Sequence, residues 1–277
     1  MFKLNTRGGW VISNGSTVDA NTVIPNYSEI GAQCTFENNC TFEDNCIFGK
    51  NQKFKFNCSF KSNCTFGEGC SFKDGCTFQN CNIFSARCSF GRYCDFGNYC
   101  IFGDLCELDS NCMMYDYCST KAGVRFGKNC IVGNHFQAGP HFELGEFSKV
   151  GSNSAFGAGT DIGRGCSIGE SVRFLQYTII QDFCNLKRGA NISPGAIIGN
   201  GCSIELPARL EEKDMLAFMT LGNVDGSGRQ VLLIKHADDV TIRAGCFVGT
   251  AEEFYERAAS EGKPVYVNIV KAIIKAW

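Results

Sequence analysis

Nineteen cysteines and three histidines are the residues of this 277-residue chain best able to do chemistry. Cysteine at this density ordinarily means disulfides or metal, and histidine means a general base or a metal ligand. Spacing decides between these readings. Over "CTFENNCTFEDNCIFGK", residues 34–50, a cysteine recurs every six residues and a phenylalanine follows each one two positions later. Metal sites converge thiolates at about 2.3 Å, often from C-x-x-C pairs, and the chain contains no such pair. The histidines are His135, His141 and His236, and the glycine-rich turn "GNVDGSGR" ends on Arg229.

The elements that must position these residues follow from the period. Twelve phenylalanines stand in unbroken steps of six from Phe36 to Phe102. The same register runs back through Ile30, Ile24, Val18 and Ile12, and forward through Leu108, Met114, Phe126 and Val132 to Leu210. Of these 34 positions only Thr120 is polar. A helix needs a period near 3.6, which six does not supply. Six residues make one short strand and one corner, three such units make an 18-residue triangular coil, and stacked coils make a parallel β-helix. Residues two apart on a strand face the same side. Phenylalanine and the slot two before it therefore both point inward, while Thr41, Lys53, Ser59 and Glu107 between them point out. Seventeen of the nineteen cysteines occupy that slot, where small residues predominate despite Gln52, Asn82, Phe136 and Phe142. They read as small apolar fillers beside a phenylalanine stack. Cys70, Cys88 and Cys106 lie one coil apart, but parallel side chains in register are poorly oriented for bridging. Asn39, Asn45, Asn51, Gly69 and Gly75 fall at corners, where positive φ is cheap.

Stacked corners bring the candidate site together. Residues 18 apart superpose, so Tyr99, Tyr117 and His135 line one edge beside Asn98, Asp116 and Asn134. A Tyr–Tyr–His edge with a carboxylate could bind a planar or phosphorylated ligand or supply a general base. The plain alternative is an exposed edge that contacts another subunit. His135 and His141 fall at different corners of one coil and cannot share a metal within one chain. Arg229 and the backbone of its turn could meet a phosphate, but the turn lacks a P-loop lysine and opens no helix. Outward Ile47, Ile83 and Ile101 share a face and suggest packing against other subunits. Outward Thr41, Ser59 and Thr77 begin a regular rank of the kind that ice binding would need, but Asp95 and Met113 end it.

Residues 10 to about 210 resemble the hexapeptide-repeat superfamily on this six-residue phenylalanine and cysteine pattern. The resemblance implies a mainly β fold, a left-handed parallel β-helix of about eleven triangular coils, roughly 50 Å long at the usual strand spacing. It implies threefold self-association, and in many members an acyltransferase activity carried by a histidine, here His135 or His141. Two departures weigh against that activity: no loop interrupts the coils to cover an acyl carrier, and the zinc-binding histidine pattern of the related γ-type carbonic anhydrases is missing. Fold alone does not assign function.

From residue 211 to 277 the pattern changes to a small α+β region. Strands are expected at 215–222, 229–236 and 239–248. Thr250 and Glu253 form a capping box that opens a helix to about Ser260, and Pro264 suits the first turn of a second helix. The segment "GCFVGTAEEF" resembles the small β-β-β-α tail of phage and prophage hexapeptide proteins. A division into a β-helix over 1–210 and an assembly domain over 211–277 follows. A net charge of −2 attracts neither nucleic acid nor an anionic membrane. Lys53, Lys55, Lys61, Lys73, Arg87 and Arg92 argue against mimicry of DNA. No apolar run reaches the length of a membrane span. The start, "MFKLNTRGGWVISNG", lacks a secretory pattern. The expected compartment is the cytoplasm, that of the host if the protein is phage-encoded, where thiols stay reduced. The expected function is a non-catalytic phage-type interaction or small-ligand module, homotrimeric, with a nucleotide or acyl-CoA as possible ligand and no cofactor or metal. The alternative is an acyltransferase acting on acyl-CoA or a sugar nucleotide.

Overall fold

The computed structural model describes residues 3–193, 196–199, 202–204, 209–210, 215–222, 230–236, 239–245 and 247–276. The period of six becomes three parallel sheets of two-residue strands (three residues in Trp10–Ile12), with thirteen, eleven and eleven strands. Each strand pairs with the one 18 residues on, as in Phe60 with Phe78 and Phe66 with Phe84. Only the first pairing, Lys3–Leu4 with Trp10–Val11, is antiparallel within these sheets. The chain is a parallel β-helix of about eleven coils. We call its sides the threonine face (Thr41, Thr77), the isoleucine face (Ile47, Ile83, Ile101) and the charged face (Lys53, Glu107, Arg125), in chain order around each coil.

The interior is an aromatic lattice. Rings one coil apart stack, with Phe72 and Phe90 4.8 Å apart at 1°. Rings six residues apart meet edge to face, with Phe72 and Phe78 5.0 Å apart at 84°. Both are favoured geometries of the ring quadrupole. Where the register falls to Leu108, Met114, Thr120 and Ala138, ring volume returns from the neighbouring slot, and Phe136 and Phe142 are fully buried there.

Backbone N–H groups bond along the axis. In one unit Ser59 N–H donates to the Cys40 carbonyl, Lys61 N–H to Phe42 and Asn63 N–H to Asn80. The carbonyl just after the core position takes no backbone N–H bond, and in many coils the small slot supplies a donor for it. Cys40 Sγ donates to Asp19 O at 3.3 Å, Cys106 to Ser85 O at 3.3 Å and Cys118 to Gly97 O at 3.2 Å, each reaching back 21 residues. Where the slot holds a hydroxyl, it donates three residues back instead, as Ser28 does to Pro25 O and Thr160 to Gly157 O. The large polar occupants obey the same rule: the Gln52 amide donates to Gly31 O, and Asn82 donates to Gln79 O. The cysteines are therefore donors as well as fillers. The eighteen described cysteines are all free thiols, and only Cys81 is exposed. Cys246 lies outside the described residues.

The C-terminal region is a four-stranded antiparallel meander followed by two helices, Ala251–Ser260 and Pro264–Ala276. The expected strand 239–248 is two strands, Val240–Ala244 and Phe247–Thr250. Gly245 separates them at φ 62°, a conformation glycine adopts cheaply. The tail is thus β-β-β-β-α-α. Thr250 and Glu253 form the expected capping box. Val231, Leu233 and Ile242 pack with Phe254, Tyr266 and Val270 in a cluster of their own. Among the described residues no helix is long and apolar enough to cross a membrane.

Candidate functional site

The edge between the threonine and isoleucine faces holds the expected column. Tyr99 and Tyr117 stack at 5.1 Å and 10°, and Tyr117 and His135 at 4.6 Å and 4°. Each sits at a corner in the left-handed region, with φ of 61°, 59° and 57°. Asparagine and glycine tolerate that region, whereas bulky residues are uncommon in it. Tyr99 and Tyr117 nevertheless expose 54% and 47% of their surface, so neither corner is repaid by burial in the core. Cys81, the exposed thiol, occupies the same edge one coil before Tyr99.

The polar column beside the rings has a structural task. Asp116 N–H donates to Asn98 Oδ1 at 2.9 Å, Asn134 N–H to Asp116 Oδ1 at 2.7 Å and Ser152 N–H to Asn134 Oδ1 at 2.8 Å. Asn134 Nδ2 adds a bond to the same Asp116 oxygen at 3.3 Å. This ladder recurs elsewhere, as from Asp44 to Ser62 and from Asp74 to Arg92. Asp116 is thus aimed along the axis at the next coil. A recurring Asn or Asp two residues after the core position, 18 apart, was the signal for it, as in Asn80, Asn98, Asp116 and Asn134.

His141 stands at the next corner, between the isoleucine and charged faces, also at positive φ. Its imidazole lies where a side chain on Gly159 of the following coil would go. The two histidines therefore occupy different edges. Among the described residues neither ring makes a hydrogen bond to an orienting carboxylate, and no group of three or more His, Cys, Asp or Glu could hold a metal ion. Arg229 and its turn lie outside the described residues. A cavity in the C-terminal region, lined by Phe247, Phe254, Arg257, Lys263 and Tyr266, encloses about 60 Å³. Small-molecule sites are typically several hundred Å³. No family model, curated protein or solved structure matches the chain.

Proposed function

We propose that the protein is a non-catalytic interaction rod of the phage or prophage type, whose exposed corner residues meet a protein partner. One observation carries this reading: large aromatic side chains occupy exposed left-handed corners that asparagine fills elsewhere. Backbone strain that the fold does not need is a pointer to function. Tyrosine and asparagine side by side also suit protein recognition, offering rigid contact area and adaptable hydrogen bonds. The Asp116 carboxylate and the His135 ring lack the base-and-orienter geometry that general-base catalysis requires. Self-association is the first partnership this reading implies, either threefold as the hexapeptide resemblance suggests or through the β-helix faces.

A thermal-shift screen against nucleotides, acyl-CoA and sugar nucleotides tests it. The expected result is no stabilisation by any of them. A rise in melting temperature that saturates with acyl-CoA and disappears in His135→Asn would replace this reading with the acyltransferase one. The same pattern with a nucleotide would make the edge a small-ligand site.

A further inference from the structure

We propose that two copies of this chain pair through the isoleucine face, with their axes antiparallel, about a twofold axis between Ile83 and Ile101. The proposal rests on the interaction reading above and names the partner as a second copy.

The three faces differ in charge. Over the six coils from Ile47 to Gln137 the outward rank of the isoleucine face carries no charged residue. The charged face carries Lys53, Glu107, Arg125 and Glu143 over the matching coils, and the threonine face carries Asp95. Ile47, Ile83 and Ile101 expose 56%, 43% and 40% of their surface to solvent. Six coils span roughly 25–30 Å at the usual strand spacing. With both bordering corner columns, that reaches the ~800 Å² per partner of a standard specific interface.

An isologous pair sets each residue against a different one, reciprocally. The twofold axis placed here sets Ile83 against Ile101 of the second copy, Thr65 against Ser119 and Ile47 against Gln137. The charges at the adjoining corner then match. Arg87 meets Asp104 of the second copy, and Glu68 meets Lys121. Among the described residues Asp104 and Lys121 have no ion-pair partner in their own chain, although their neighbours along that corner do: Glu68 bonds both Lys50 and Arg87. At the other corner the same operation sets Tyr99 against Cys81, Tyr117 against Asn63, and His135 against Asn45 and Asp44. The strained aromatic edge thereby gains a partner surface, and no like charges are opposed.

Light scattering and thiol crosslinking test this on the full chain. The twofold axis brings Cys81 of the two copies within one coil of each other across the interface. Wild-type protein should have twice the 30.3 kDa chain mass. A short bismaleimide should join two chains, and Cys81→Ser should abolish the crosslink without changing the mass. Ile83→Lys sets an ammonium against Ile101 twice per pair and should halve the mass and lose the crosslink, with the circular dichroism unchanged. A parallel pair would hold the two Cys81 on opposite sides of the face. A wild-type mass of one or three chains overturns the proposal, as does a twofold mass with no Cys81 crosslink. A twofold mass unaffected by Ile83→Lys also overturns it. Each of these results leaves the ligand screen, and so the non-catalytic reading, standing by itself.

Discussion

The β-helix and the C-terminal region satisfy their backbone groups at opposite ranges. In the β-helix nearly every bond runs 17 to 21 residues to an adjacent coil, as from Ser59 N–H to Cys40 O and from Cys40 Sγ to Asp19 O. In the C-terminal region the bonds are local: the Thr250–Glu253 box closes over three residues, and the strands form a meander of neighbours. Stability in the first is a property of stacking, a sum over repeats and the interfaces between them. In the second it depends on single capping and packing residues. The same substitution chemistry should therefore spread in one region and stay confined in the other.

Phe72→Ala is the most damaging change proposed. Phe72 is 3% exposed, stacked on Phe54 and Phe90 and edge-on to Phe66 and Phe78. The cost should be about 3–5 kcal/mol, read as a fall in the urea midpoint of the β-sheet signal. A loss under about 1 kcal/mol would mean that the lattice closes over the gap, contrary to close packing.

Alkaline pH should separate the regions next. Burial pushes the Cys34 thiol up from its ordinary value of 9.0. A raised folded-state value gives stability that is complete below the unfolded value and is lost as pH rises toward the folded one. The β-helix midpoint should therefore fall as the pH rises past about 9, while the helix signal of the C-terminal region follows its own course. A β-helix midpoint unchanged up to pH 11 would contradict burial of neutral thiols.

Thr250→Ala removes one side of a capping box and should cost the C-terminal region about 1 kcal/mol. Its helical signal should melt earlier while the β-helix midpoint holds. A common shift in both would show the two regions unfolding as one.

Tyr93→Asn is the smallest change and has the opposite sign. Tyr93 sits at φ 56° with 62% of its surface exposed. Asparagine there should raise stability by up to about 1 kcal/mol. A loss instead would mean that the ring packs in a way its exposure does not suggest.

Much of this was legible from residue spacing. The unbroken step of six placed the core, the corners and the Tyr99–Tyr117–His135 column, because an 18-residue coil leaves little freedom in register. The exposed rank of Ile47, Ile83 and Ile101 followed by the same counting. Two features went unread. The axial ladder through Asp116 was missed because a carboxylate beside a histidine looks like catalysis until its bond to the Asn134 N–H is seen. The split of 239–248 was missed because "AGCFVG" continues an apolar strand pattern, which the positive φ at Gly245 interrupts. The described cysteines are small and unbridged, as their spacing predicts, yet apolarity is only part of the reason they fill the slot.

That slot gives the most direct test of the account. Serine and alanine are nearly equal in volume, so replacing Cys106 with each leaves a similar gap and differs in the donor alone. A serine hydroxyl at 106 can donate three residues back to Gly103 O, as Ser28 and Thr160 do in their slots. Alanine leaves the carbonyls without that donor. In urea unfolding Cys106→Ser should be measurably more stable than Cys106→Ala, by about 1 kcal/mol, the net worth of one hydrogen bond. If alanine proves equal or better, the slot requires only a small apolar group and the donor role assigned to the cysteines is wrong.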